Sequence, residues 1–374
     1  MSDRVLLATR KGLFTVDRHS VGGTPQWTIS QTAFLGDPVS MVLSDPRDSA
    51  TYAALNLGHF GVKFHRSTDG GKNWEECAAP AFPGQPAPAV PGTEPPAEPR
   101  SDTVLQVWSL EAGGAAEPGV LWAGTIPGGL FRSFDRGSSW ELVQTLWDRP
   151  ERKEWFGGGA EQPGIHSVCV NPQDSRHITV GVSCGGVWQT NDGAQTWANR
   201  ADGMWAAYMP PEQKGNPNIQ DPHRVVQCAA APRVFWAQHH NAIFRSTDGS
   251  ASWQEVPNLT PSIFGFAVAV HPQDPDTAWF VPAVKDERRI PVDGALVVTR
   301  TRDGGKSCTV LRDGLPQQHA YDLVYRHGLD VDESGNRLAF GSTTGSAWVS
   351  ENQGDSWQSI STHLPPINCV RFVR

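Results

Sequence analysis

The stretch RSTDGGKNW, residues 66–74, returns five more times along the chain, and those returns decide the fold. It recurs as RSFDRGSSW (132–140), QTNDGAQTW (189–197) and RSTDGSASW (245–253). Two looser copies follow: RTRDGGKSC (300–308), with Cys308 for the Trp, and VSENQGDSW (349–357), with Asn352 for the Asp. The leading Ser or Thr positions lie 49 to 66 residues apart. Each copy reads as a turn. A hydroxyl two residues ahead of an Asp lets both side chains bond nearby backbone, and Gly accepts the φ > 0 that closes the reversal. The Trp then opens the next strand and carries a large ring inward.

Each box follows an apolar strand (GVKFHRS, GGLFRSF, GGVWQTN, NAIFRST), and before that lies another (ATYAALNL, GVLWAGT, HITVGVS, RVFWAQH). Earlier still comes a third, often ending near Pro (VSMVLSDP, HSVCVNP, FAVAVHP). Four short strands per repeat, arranged radially, make a β-propeller blade. Composition agrees: 38 Gly, 30 Pro and 15 Trp among 374 residues, with 19% charged, suit strands and turns rather than long helices. Residues 4–32 read as a blade without its first strand, and the tail INCVRFVR (367–374) has the pattern of that strand. The expected fold is therefore all-β, a seven-bladed propeller in one domain over residues 1–374. Blade 1 takes residues 3–33 plus 366–374, and blades 2–7 take 38–364. Pairing the two ends closes the ring and removes its exposed edges.

The boxes resemble the BNR or Asp-box repeats shared by sialidases, sortilin-type receptors, xyloglucanases and photosystem assembly factors. The resemblance covers nearly the whole chain and implies the propeller fold; for function it spans enzymes and pure binders. Sialidases of that family place an FRIP-like Arg in the first of six blades. The RIP here, Arg289-Ile290-Pro291, sits in a late insertion of blade 6, and no Arg triad or Tyr/Glu pair maps. The sialidase mechanism is not carried across. Nor does the two-carboxylate pattern of xyloglucanases map, and the chain is about half what a double propeller requires.

A formal net charge of −8 offers no basic surface for nucleic acid and no polybasic membrane patch. The N-terminus MSDRVLLATRKGLF lacks the apolar core of a signal peptide. The six cysteines show no CxxC pair, so reduced thiols and a cytoplasmic location are expected. No P-loop, GxGxxG, HExxH or GxSxG motif appears.

Antiparallel order, counted outward from the channel, puts the inner-strand starts, the turns between second and third strands, and the inter-blade connections on one face. The boxes lie on the other. Aligned as inner-strand starts, His166 (IHSVCV), His223 (PHRVVQC) and His319 (QHAYDLV) converge at the channel mouth, while the tail has Asn368 there. Turns on the same face add His59, His239 and His240, with Arg10 and Lys11 in blade 1. The remaining six histidines, His327 among them, map to strand ends or the opposite side. Long loops leave from the histidine face at 77–102, 144–164 and 201–222, the last two carrying Trp155, Trp205 and Tyr208.

These residues point to a metal-dependent hydrolase or lyase acting on a small polar or carbohydrate-like substrate. His166, His223, His319 and His239 are the expected ligands of a divalent transition metal (Zn, Mn or Fe). Glu154, Glu161, His59 and His240 are the candidate proton carriers, and Trp155, Trp205, Tyr208, Arg10 and Lys11 the substrate contacts. Asp221, two residues before His223, is a further candidate for proton transfer or for orienting an imidazole. Oligogalacturonate lyases and carotenoid oxygenases, propellers of other families, hold metal through channel histidines, which is analogy at the level of fold. The competing expectation is a non-catalytic propeller that binds a protein or ligand partner on the same concave face.

Overall fold

The computed structural model describes residues 1–83, 103–158 and 160–374. Most of the first long loop, 84–102, thus lies outside the described residues. The chain forms seven four-stranded antiparallel sheets. Their inner strands are Ile367–Phe372, Val39–Ser44, Gln106–Ala112, Ile165–Val170, Pro222–Gln227, Gly265–Val270 and Leu329–Val331 for blades 1 to 7. Each packs on the next around a closed cycle, so the sheets make a propeller. Blade 1 is completed as expected: the tail strand pairs with Arg4–Thr9, Val5 opposite Phe372 and Leu7 opposite Val370. Successive blades pack through apolar faces whose largest members, Trp188, Trp236 and Trp279, are fully buried. Truncating one to Ala costs about 3–5 kcal/mol.

The box turns make the bonds their residue types suggest. In the first, Ser67 Oγ donates to Asp69 Oδ1 (2.9 Å) and accepts from Gly71 N (2.9 Å), while Asn73 N donates to Asp69 Oδ1 (2.9 Å). The same pattern recurs at Ser133/Asp135, Thr190/Asp192, Ser246/Asp248 and Thr301/Asp303. In the sixth copy Asn352 supplies the acceptor in place of Asp. The box Trp also stitches blades together: Trp253 Nε1 donates to Arg200 O (2.7 Å) and Trp140 Nε1 to Ala78 O (2.9 Å).

One feature of the ladders bears directly on the site. In six blades the register slips near the start of the inner strand, leaving Ser40, Trp108, His166, His223, Asn368 and the pair Phe266–Ala267 outside the ladder. A bulge lets one residue oppose none, bends the strand and re-aims its side chain. Repeated around the ring, it builds a layer at the channel mouth from residues that ladder pairing would otherwise orient.

Blade 7 departs from the sequence expectation. Its inner strand starts at Leu329, not His319. The Gln-Gln-His segment instead belongs to a long connection over residues 312–328, where His319 is exposed with φ of 55°. The chain reaches the channel with Arg326 and His327, and His327 bridges Cys369 of the tail strand. The turn-rich apolar run 319–324 imitates a strand in sequence, and the histidine that reaches the channel lies eight positions further on.

Candidate active site

Asp221, His223 and His240 cluster on the channel-mouth face of blade 5. Asp221 precedes the inner strand of blade 5, and His223 lies two residues on. An extended chain turns residues i and i+2 to the same side. His240 occupies the turn between the second and third strands of that blade, where its N–H donates to Asp221 O (2.9 Å). The three offer ligand atoms all within 4.8 Å of one another. Asp221 Oδ2 stands 3.4 Å from both His223 Nε2 and His240 Nδ1.

The carboxylate is fixed from behind. Its Oδ1 accepts from Ser183 Oγ and from Cys184 N, both at 3.1 Å, in a turn of blade 4 where Cys184 takes φ of 47°. Burial opposes ionisation of Asp221, but the bonds from His223 and His240 and the charge of Arg326 hold it well below the usual carboxylate range. His223 Nδ1 lies 2.6 Å from Gly265 O, and a carbonyl only accepts, so Nδ1 is the donor. Burial holds this imidazole below its ordinary range although Asp221 pulls it upward. His223 Nε2 thus faces Asp221 Oδ2 across 3.4 Å. A proton on the ring nitrogen satisfies this approach, and the three side chains together also offer a cation a site. The spacing is that of a tetrahedral edge when each bond is about 2.1 Å.

His166 sits beside this centre but does not join it. Its ring meets Trp108 edge-on at 5.7 Å, Nδ1 bonds Ser167 Oγ (2.9 Å), and Nε2 is buried without a partner. Phe266 stacks on His223 at 4.4 Å, and Phe264 and Tyr208 wall His240 at 6.1 and 5.0 Å. Below lies a polar plug: Arg371 grips Glu111, and Arg224 Nη1 and His327 Nε2 both bond His166 O, at 3.1 and 2.8 Å. Arg224, Arg371 and His327 carry the channel lining down from the mouth.

Several expected residues fall elsewhere. His239 is buried and committed, its Nε2 accepting from Asp221 N (3.1 Å), so it orients the Asp221 backbone and has no lone pair for a metal. Burial pulls its pKa down to about 3, against the raising charge of Asp221. His319 is on the far side of an exposed loop and does not meet the other imidazoles. His59 is exposed against Phe60, and Arg10 and Lys11 lie on an exposed turn of blade 1. Glu154 accepts from Asn216 and Asn218 Nδ2, tying two loops together, and Glu161 is exposed. Trp155 is buried against Trp188, and Trp205 Nε1 donates to Glu255 Oε2 (2.8 Å), so both anchor loops. Of the aromatic contacts expected, Tyr208 reaches the site, its hydroxyl donating to Ile219 O (2.9 Å). Sequence reasoning missed Arg326, His327 and Ser183. The first two were hidden by the misplaced strand; Ser183 carried no signal beyond its turn.

No protein-family model matches the chain. Among curated proteins it is 27% identical over 285 residues to a probable oligoxyloglucan-reducing end-specific xyloglucanase of Neosartorya fischeri, covering 68% of this chain and 32% of that protein. It is 26% identical over 149 residues to xyloglucanase Xgh74A of Acetivibrio thermocellus, covering 35% of this chain and 16% of that one. The chain thus spans a third or less of the curated relatives it matches. Among solved structures, the GH74 xyloglucanase of Xanthomonas campestris superposes with a TM-score of 0.65 at 18% identity, over 97% of this chain and 53% of that one. A putative 6-phosphogluconolactonase of Bacteroides uniformis gives 0.58 at 12% identity, over 99% of each chain. Both share the propeller fold. Among the described residues no helix is long and apolar enough to cross a membrane.

Proposed function

We propose that this propeller is a carbohydrate-acting hydrolase whose active site is the Asp221–His223–His240 centre, charged with a divalent transition metal. The observation that carries the reading is the cluster itself: His223 Nε2 and His240 Nδ1 each stand 3.4 Å from Asp221 Oδ2, with all three ligand atoms within 4.8 Å of one another. The donor set fits the metal: one carboxylate and two imidazoles leave coordination positions open. Gly265 O orients His223, and Ser183 with Cys184 N orients Asp221, the outer support that metal ligands usually receive. A bound ion of this kind supplies an activated water at neutral pH.

Most glycosidases use two carboxylates flanking the bond. Here one carboxylate stands between two imidazoles, which favours the metal reading over that pairing. The similarity to xyloglucanases supports a glycan as the substrate class. So does the rim. Phe60, Phe156, Tyr208 and Tyr321 are exposed on connections or turns of the channel-mouth face, and aromatic faces of that kind stack on sugar rings.

The test is metal analysis with a glycan panel. Protein equilibrated with zinc or manganese is expected to retain about one equivalent after gel filtration and to release reducing ends from xyloglucan or related oligosaccharides. Asp221→Ala and His223→Ala are expected to lose the metal and the activity together. A wild-type protein that retains no metal and cleaves no glycan overturns the reading.

A further inference from the structure

Arg326 is 7% exposed, yet its Nε and Nη2 have no hydrogen-bond partner. Its guanidinium lies 4.7 Å from the Trp108 ring and 5.2 Å from the Phe266 ring. Those are the rings that meet His166 and stack on His223, so the group stands at the wall of the proposed site. Aromatic faces satisfy a guanidinium's flat sides and leave its N–H edge unanswered.

The unanswered edge has a known partner shape in this same molecule. Arg4, Arg18, Arg149 and Arg176 each use Nε with Nη2 to grip Asp17, Glu351, Glu151 and Asp174 through two oxygens. Among the described residues, Arg152, Arg200, Arg245, Arg300, Arg337 and Arg371 also bury an unpartnered Nε, but Arg326 alone leaves Nη2 unpartnered beside it. Among the described residues no carboxylate lies within ion-pair distance of it; Asp221 acts on it through its charge. Once a divalent ion uses the Asp221 charge, the guanidinium is a buried cation without compensation, which is costly unless an anion arrives. His166 Nε2 adds a second buried, unpartnered nitrogen nearby. Arg289, its guanidinium 5.3 Å from the Phe266 ring and paired with Asp286, flanks the same wall.

We infer that the site takes a sugar bearing an anionic oxygen group, a carboxylate or a phosphate, gripped by the Nε–Nη2 edge of Arg326 beside the Asp221 centre. The inference rests on the proposed function for the identity of the site and narrows its substrate class from neutral glycans to acidic ones.

Calorimetric titration with glucuronate, glucose 6-phosphate and glucose tests it, on wild-type protein, Arg326→Gln and Arg326→Lys, each checked for an unchanged thermal transition. The wild type is expected to bind at least one anionic sugar about tenfold or more tightly than glucose, the worth of a paired charged hydrogen bond. Whichever anion is preferred names the source of the group. Arg326→Gln is expected to erase the preference, and Arg326→Lys, which keeps the charge but not the fork, to retain part of it. The preference is expected to weaken but not vanish after chelator treatment, because Asp221 then turns its charge back to Arg326 while the Nε–Nη2 edge stays unpartnered. Equal binding of all three sugars overturns the inference, as does a preference that survives Arg326→Gln. Should Arg326→Gln lose its thermal transition, Arg326→Lys decides, and a preference equal to wild type overturns it. Cleavage of neutral glycans without any anion preference sinks this inference and leaves the proposed function standing. An Arg326-dependent preference in a protein that binds no metal and cleaves no glycan does the reverse.

Discussion

At the scale of single residues, two histidines that look alike in sequence have opposite fates. His240 turns Nδ1 to Asp221 Oδ2, while the adjacent His239 accepts the Asp221 N–H and is spent. His240→Ala is expected to lower zinc or manganese retention at least tenfold, and His319→Ala to leave it unchanged, both read by elemental analysis after dialysis. Equal loss in the two variants would place the centre elsewhere. His239→Leu is expected to cost about 1–3 kcal/mol in urea unfolding, since it leaves the Asp221 N–H buried and unpaired. The clue to Asp221 was present in the sequence: an Asp-x-His pair at a strand start places both side chains on one side. What could not be read was which ring nitrogen points where, because Gly265 O, from the neighbouring blade, decides it.

Among elements, the box turns and the inter-blade connections carry the stitching. Asp69 and Asp303 accept bonds from side-chain Asn or Ser and from backbone N–H, which holds each at about 2, below the ordinary 3.8. A depressed folded pKa contributes stability above the unfolded value, and that stability is lost as pH falls through the folded one. The urea midpoint is therefore expected to drop between about pH 4 and pH 2. The drop should be smaller in the double variant Asp69→Asn, Asp303→Asn, because Asn352 shows that an amide holds the same turn. An identical pH profile for both proteins would refute the assignment. The connections use Asp-Gly pairs in a way the sequence did not advertise. Asp313 O accepts from Trp357 N (3.0 Å), and Gly314, at φ of 80°, would put a Cβ 1.9 Å from Trp357 O. Asp202-Gly203 repeats the contact on Trp253. Gly314→Ala combines a left-handed backbone with a backbone clash and is expected to destabilise by about 2 kcal/mol or more, measured by thermal or urea unfolding.

For the whole molecule, closure is the property on which the rest depends. The tail strand pairs with Arg4–Thr9 and its Asn368 amide donates to Val39 O (2.8 Å), locking blade 1 against blade 2. Deleting residues 366–374 exposes the edge of Arg4–Thr9 and uncovers Val5 and Leu7, both fully buried. The truncated chain is expected to aggregate or lose its cooperative thermal transition, as an open edge pairs with other chains. A truncated chain that stays monomeric with an unchanged transition would show that the velcro is dispensable.

The strand count per blade, the box turns and the completion of blade 1 by the tail were legible in the sequence, because each is written in local pattern: alternation, turn residues and repeat spacing. The gathering of histidines toward one face was legible for the same reason, since antiparallel order alone assigns a face to each turn. Which of them meet was decided in three dimensions. A bulge shifts a register without altering composition, and a connection of ordinary apolar residues imitated the strand that begins at Leu329. The chemistry of the centre depends on contacts between Asp221, His223, His240 and Arg326, which span more than a hundred residues of chain. Such contacts exist only once seven blades have closed around one axis, because no local rule relates side chains that only ring closure brings together.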